Sequence, residues 1–310
     1  LSENVFRFVV KKIFEMIASL VILAALTFFL LKALPGGPFD DETALNPLVK
    51  EKLISHWKIE DSWFQQATSY LVGLVQGDLG VSMIRPERTV GEIITQGLSN
   101  TLSLNALALA FIIVGAIALS LLAVRFRDTW VERFVDQSAI AFLSLPSLFW
   151  GPLLIYFFGF YWNLFPVAFL TSPSHYVLPL LTLSLRPMAS LIRLLKNSLA
   201  QNFSQDYVRT ARAKGVGTWS ILWNHVLKNS LIPFLSYLGP LTVSLLSGSF
   251  LVEVLFAVPG LGTEFIAALN DRDYTLIMGL TLFYGVLLIL INSLVDVLLK
   301  VADPRLREEA

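Results

Sequence analysis

Residues Thr101–Val124 read TLSLNALALAFIIVGAIALSLLAV, with no charged side chain. As a helix this run spans about 36 Å, more than the roughly 30 Å hydrocarbon core of a bilayer. Five further stretches have the same character: Ile13–Leu31, Gln137–Phe160, Tyr176–Leu195, Leu231–Val254 and Thr275–Leu299. Six such segments predict an all-α membrane protein with six transmembrane helices. The first run exceeds the ~7–15 apolar residues of a signal-peptide core, and no small-x-small site follows it before Pro35. It is therefore expected to stay as an anchor.

Composition agrees. The 310 residues are 55% hydrophobic and only 15% charged, with a mean hydropathy of +0.68. Soluble chains carry about 25% charged residues. The formal net charge is +0, so no global basic field exists to hold nucleic acid. Cysteine is absent, which excludes disulfide scaffolds, cysteine-ligated zinc and cysteine nucleophiles.

Lysine and arginine in short loops set orientation. Arg7, Lys11 and Lys12 precede the first span; Arg125, Arg127 and Arg133 lie between the second and third. Arg193, Lys196, Arg209, Arg212, Lys214 and Lys228 cluster between the fourth and fifth, and Lys300, Arg305 and Arg307 follow the sixth. The opposite short loops hold only Arg272. Both termini are thus expected in the cytoplasm, in a multi-pass protein of the cytoplasmic (inner) membrane. The implied organisation is a cytoplasmic N-terminus, 1–12, and one transmembrane domain, 13–310. That domain includes an external cap, 32–100, and a cytoplasmic loop, 196–230. In the cap, Pro35-Gly36-Gly37-Pro38 ends the first helix, Pro47–Trp57 and Ser62–Val75 read as short amphipathic helices, and Gly77-Asp78-Leu79-Gly80 reads as a turn. The cap either packs over the outer membrane face or meets a delivery protein.

Catalytic motifs are missing. No Gly precedes a Lys, so a Walker phosphate loop is absent, and no His precedes a Glu, so the two-histidine zinc helix is absent. No Gly-x-Ser-x-Gly elbow occurs. His56, His175 and His225 are scattered. The chain is expected to have no catalytic residues, no metal site and no cofactor of its own.

The inner loop is more informative. Ser204-Gln-Asp-Tyr-Val-Arg-Thr-Ala-Arg-Ala-Lys-Gly215 reads as a helix, followed by Val216-Gly217-Thr218 and a second helical run to about Lys228. Ser204 is placed to cap the first helix, with Asp206 in its first turn. Gly215 and Gly217 mark its end. Val208, Ala211 and Gly215 fall on one smooth face, flanked by Arg209, Arg212 and Lys214. Such a hairpin suits either a partner's groove or lipid headgroups.

Arg186, an intramembrane arginine beside Pro187, must face the bundle interior or water. It lines a path and attracts a carboxylate, holds a structural ion pair, or snorkels because the helix boundary is misplaced. Ser244 and Gly248, with Ser247 and Ser249 beside them, form a small-residue face. That face lines a subunit interface or a central path, or packs within the chain.

The inner loop resembles the signature of binding-protein-dependent ABC importer permeases, the Glu-Ala-Ala…Gly motif. The likeness is to the oligopeptide/dipeptide (B-type) permease family, in which Arg-Thr-Ala-Arg-Ala-Lys-Gly is characteristic; here it is Arg209–Gly215. Thr210 stands where the wider superfamily has Glu, and Lys228 where many members have Pro. Pro35-Gly36-Gly37-Pro38, Gly77–Ser82, Pro259-Gly260-Leu261-Gly262, Asn270–Tyr274 and Asp303-Pro304-Arg305 resemble further family strings in order. The resemblance implies a type I ABC importer permease fold with an external helical insertion after the first helix. It implies a second homologous permease subunit, two cytoplasmic ATPase subunits binding ATP and Mg, and an external solute-binding protein delivering a peptide. Tyr207, Arg209, Thr210, Ala211, Arg212, Ala213, Lys214 and Gly215 would then couple to the ATPases. The rivals are an ion-driven secondary transporter, which needs midplane carboxylates, a non-transporting membrane scaffold or receptor, and an importer of nickel, glutathione or an opine-like solute.

Overall fold

The computed structural model describes residues 2–33 and 62–302. Pro35–Pro38, the expected helix Pro47–Trp57, His56 and Asp303-Pro304-Arg305 lie outside the described residues, as do the side chains of Arg7, Lys11, Lys12 and Lys300.

The elements are α1 (Ser2–Ala33), α2 (Trp63–Val75), α3 (Val90–Arg125), α4 (Trp130–Ser144), α5 (Ser147–Leu154), α6 (Val177–Phe203), α7 (Asp206–Ala213), α8 (Thr218–Ile221), α9 (Leu227–Leu255), α10 (Leu261–Asp271) and α11 (Tyr274–Ala302). A π-helical turn, Ile155–Tyr161, extends α5, and another, Leu222–Val226, joins α8 to α9. Among the described residues there is no strand, only a bridge between Val81 and Thr89. Five segments are long and apolar enough to cross a membrane, and α4 with α5 supplies a sixth if counted as one span.

That sixth case corrects the expectation of one continuous helix over Gln137–Phe160. The chain bends by 104° between α4 and α5. Pro146 excludes helical geometry from the residue before it, and Leu145 is extended at φ −109° and ψ 142°. The second span also begins earlier than expected. Thr89 and Glu92 cap α3 reciprocally, Glu92 N donating to Thr89 Oγ1 at 3.2 Å and Thr89 N to Glu92 Oε2 at 3.0 Å. The expected helix Ser62–Val75 is present, opened by the matching pair Ser62 and Gln65.

Packing divides the chain into two compact units, Leu1–Ser99 with Gly260–Leu290, and Asn100–Pro259 with Ile291–Ala310. In the first, Gly285 of α11 lets α1 approach; a Cβ there would stand 2.7 Å from Leu23. The turn after α2 uses left-handed Gly77 and Gly80, at φ 77° and 83°. Beyond it the buried carboxylate of Asp273 gathers donors from a distant part of the chain. Ser82 Oγ donates to it, as do the N–H groups of Met83 at 3.1 Å and Leu276 at 3.0 Å. Arg85 pairs with Glu264 at 2.6 Å. That hydrogen bond pushes the Arg85 pKa further up. Two strings noted separately in the sequence, Gly77–Ser82 and Asn270–Tyr274, are thus one hydrogen-bonded lock.

In the second unit α6 is the central helix. It packs most extensively on α9, then on α4 and α5. Leu178, Thr182, Leu185, Ala189, Ile192, Leu195 and Leu199 are buried at three- and four-residue spacing, which places them on one face. Small residues set the close approaches: Gly151 of α5 sits against Leu255, and Gly239 of α9 against Val295.

The Asp273 lock yields a ranking. Asp273→Ala orphans several buried donors, each costing about 1–3 kcal/mol, whereas Ser82→Ala removes a donor and leaves the carboxylate its backbone partners. Thermal melting of the detergent-solubilised protein should fall more for Asp273→Ala. A larger drop for Ser82→Ala would contradict the lock.

Candidate functional site: an inner hairpin and a polar cleft

The hairpin that the sequence places on the inner side is α7–α8. Ser204 does not cap α7, contrary to expectation. Its hydroxyl donates back to Gln201 O at 2.8 Å, closing α6, and Gln205 takes the N-cap place without a side-chain bond. A carbonyl of the preceding helix is in reach first. The C-terminus follows a Schellman pattern. Val216 N donates to Ala211 O at 3.2 Å and Gly215 N to Arg212 O at 2.9 Å, with Gly215 left-handed at φ 77°.

The smooth face of α7 turns inward. Val208 is 1% exposed, and Ala211 and Val216 pack against the core of the unit. The outward residues are Tyr207, Arg209, Thr210, Arg212, Ala213, Lys214 and Gly215. Arg209 makes only an exposed contact with Asp206, at 3.4 Å. Arg212 lies over the Phe203 ring, 4.4 Å from its centroid, a cation–π contact that ties α7 to the end of α6. A Cβ at Gly215 would meet nothing within 4 Å. Its glycine therefore serves the backbone turn. Beyond the turn, Trp219 and Trp223 are exposed.

The second feature is a cleft of about 500 Å³ between α6 and α9, reached also by α4 and α5. Arg186, Ser244 and Gly248 all line it; Ser247 is exposed but lies off it. A Cβ at Gly248 would meet only Leu183, at 3.9 Å, so this small-residue face is not spent on close packing within the chain. Both principal helices carry a proline at the cleft, Pro187 and Pro240. Each lacks an N–H and interrupts the backbone ladder there.

A third arrangement fixes α4 to α6. Lys196 reaches Glu132 at 2.7 Å and Asp136 at 2.7 Å, with Lys196 and Glu132 largely buried.

These features can be set beside known proteins. A family model described as binding-protein-dependent transport system inner membrane component matches residues 111–308. The chain belongs to this family. Relatives include the dipeptide transport system permease protein DppB of Bacillus subtilis (strain 168), 35% identical over 97% of this chain and 98% of that one. The oligopeptide transport system permease protein OppB of Haemophilus influenzae is 30% identical over 97% and 99%, and that of Salmonella typhimurium 32% over the same shares. The fold is shared with solved importers. An inward-facing MetNI methionine ABC transporter superposes with a TM-score of 0.58 at 16% identity, covering 68% of this chain and 96% of that one. An amino acid ABC transporter with histidines gives 0.53 at 16%, covering 67% and 93%. The architecture is therefore the type I importer permease fold, in an inner membrane component.

Within this permease, three residues escaped the sequence reading. Lys196 counted only as a positive-inside charge, although two acidic residues one helical turn apart, Glu132 and Asp136, precede it. Arg193 and Asn197 share a face with Arg186 and Ser190, at i, i+4, i+7 and i+11. That helical spacing of polar residues was the available signal. The clamp gives a measurable expectation. Lys196→Met should destabilise the permease by about 1–3 kcal/mol, between exposed and buried ion pairs. Glu132→Gln should cost more than Asp136→Asn, because Asp136 is 43% exposed and Glu132 only 19%. Chemical unfolding of the solubilised protein provides the comparison, and equal losses would refute the burial argument.

Proposed function

We propose that this chain is the permease subunit of an ATP-driven importer carrying dipeptides or oligopeptides across the cytoplasmic membrane. It pairs with a second, homologous permease subunit, receives solute from an external solute-binding protein, and has both termini in the cytoplasm. Two cytoplasmic ATPase subunits bind ATP and Mg; the permease itself hydrolyses nothing. The near-full-length likeness to peptide permeases supports the substrate class.

The outward face of α7 carries the coupling argument. Val208 and Ala211 seat the helix on its own unit, and Arg212 lies on Phe203 of α6. A push on the exposed basic face therefore moves the end of α6. Closure of the ATPase dimer would shift α7, and α6 with α9 would rock between inward and outward access. Directional transport then requires the solute's affinity to differ between the two states. An ion-driven mechanism is less well supported. Glu15 is exposed, and Glu253 lies near the end of α9 rather than at its middle.

Two bulky substitutions separate docking from folding. Thr210 is exposed and bonds only along its own helix, to Asp206 O at 3.1 Å, whereas Ala211 packs inward. Thr210→Trp should leave the yield of this subunit within about twofold while uncoupling ATP hydrolysis from uptake. Ala211→Trp should lower the yield itself, since overpacking costs about 1–3 kcal/mol. Uptake and hydrolysis assays on membrane vesicles decide; wild-type import by Thr210→Trp would sink the coupling role.

A further inference from the structure

The cleft between α6 and α9 contains a cation with no anion. Arg186 lies near mid-helix in the span Pro173–Phe203, exposed on the cleft wall. No acidic side chain lines the cleft. Among the described residues Arg186 makes no ion pair, and its guanidinium makes no hydrogen bond; apart from the helix backbone, only Ser190 Oγ bonds it, donating to its carbonyl at 3.4 Å. A charged side chain at this depth facing lipid costs at least about 2.5–3.5 kcal/mol, so its side of α6 must face water or a counter-charge. The neighbouring polar positions agree. Ser190, Arg193 and Asn197 continue the same stripe toward the inner hairpin, and Arg193 stands about 10 Å further along the axis. Like Arg186, Arg193 has no ion pair among the described residues. Across the cleft, Tyr237 and Ser244 of α9 supply hydroxyls.

We infer that this cleft is an anion site within the permease, in which Arg186 holds a carboxylate of the passing solute; Arg193, on the same face of α6 but off the cleft lining, receives it next. The proposal rests on the permease reading and adds the chemistry of what the path recognises. Guanidinium suits the task because it stays charged and presents parallel donors that match a carboxylate. Exposure of the site keeps the bond weak enough to release the solute, as transport requires. A peptide's C-terminus is such a carboxylate.

The chain has no cysteine, so a single Ser244→Cys reports on the cleft directly. Its conversion to a mixed disulfide, with release of methanesulfinate, is followed in the assembled transporter in membrane vesicles, with anionic sulfonatoethyl and cationic trimethylammonioethyl methanethiosulfonate. The ratio of anionic to cationic rates should fall roughly tenfold in Arg186→Gln, as Coulomb attraction turns off. It should survive in Arg186→Lys and shrink with rising salt. Millimolar tri-alanine should slow the anionic labelling, and its C-terminal amide should not. An unchanged ratio in Arg186→Gln, an unreactive cysteine, or equal or absent protection by acid and amide would each overturn the anion site. The permease reading is judged separately, by the Thr210→Trp transporter.

Discussion

A charged side chain at bilayer depth must meet water or an opposite charge, and α6 carries Arg186 and Arg193 on one face. Its other face is a continuous apolar stripe that anchors α4, α5 and α9. The same helix is thus both the core of its unit and the wall of a polar cleft. Everything around it follows from keeping those two faces apart. Lys196 is directed into Glu132 and Asp136, so α4 holds the helix from one side. Gly151 lets α5 press close on another. The arginine face stays open to solute or solvent.

The inner hairpin obeys a related division. Small residues on a helix suit close approach to any neighbour, whether a partner or the helix's own chain. In α7 the nearest neighbour is its own unit, and Val208 and Ala211 are consumed there. What stays exposed is the flank: Tyr207, Arg209, Thr210 and the basic residues near Gly215. In the proposed coupling, recognition at this surface would be electrostatic and aromatic, and Gly215 ends the helix where the flank ends.

Much of this was legible. Apolar runs located every span, because lipid imposes length and composition on a helix independently of its neighbours. The amphipathic pattern of Ser62–Val75 located α2, whose start the structure fixes with the Ser62–Gln65 cap. Arg186, Ser244 and Gly248 were singled out by chemistry alone, and they meet in one cleft. The bend at Leu145 was missed, because hydropathy does not register a proline in an apolar run. The early start of α3 was missed because its first turns are polar, although Thr89 and Glu92 announce it. Pairings such as Ser82 with Asp273, and Lys196 with Glu132, join residues far apart in the chain. Each residue's own neighbourhood contains no trace of its partner.

The Asp273 lock has a consequence in time. Met83 and the carboxylate it bonds are separated by 190 positions. Synthesis at about 5–20 residues per second leaves the turn after α2 waiting roughly 10–40 s for its acceptor. By the end of that interval every candidate membrane span but the last is made, while the turn after α2 still has no buried carboxylate to close upon. The lock is a late event in biogenesis. A nascent chain halted anywhere before Asp273 has the turn after α2 in place and no carboxylate to receive its donors.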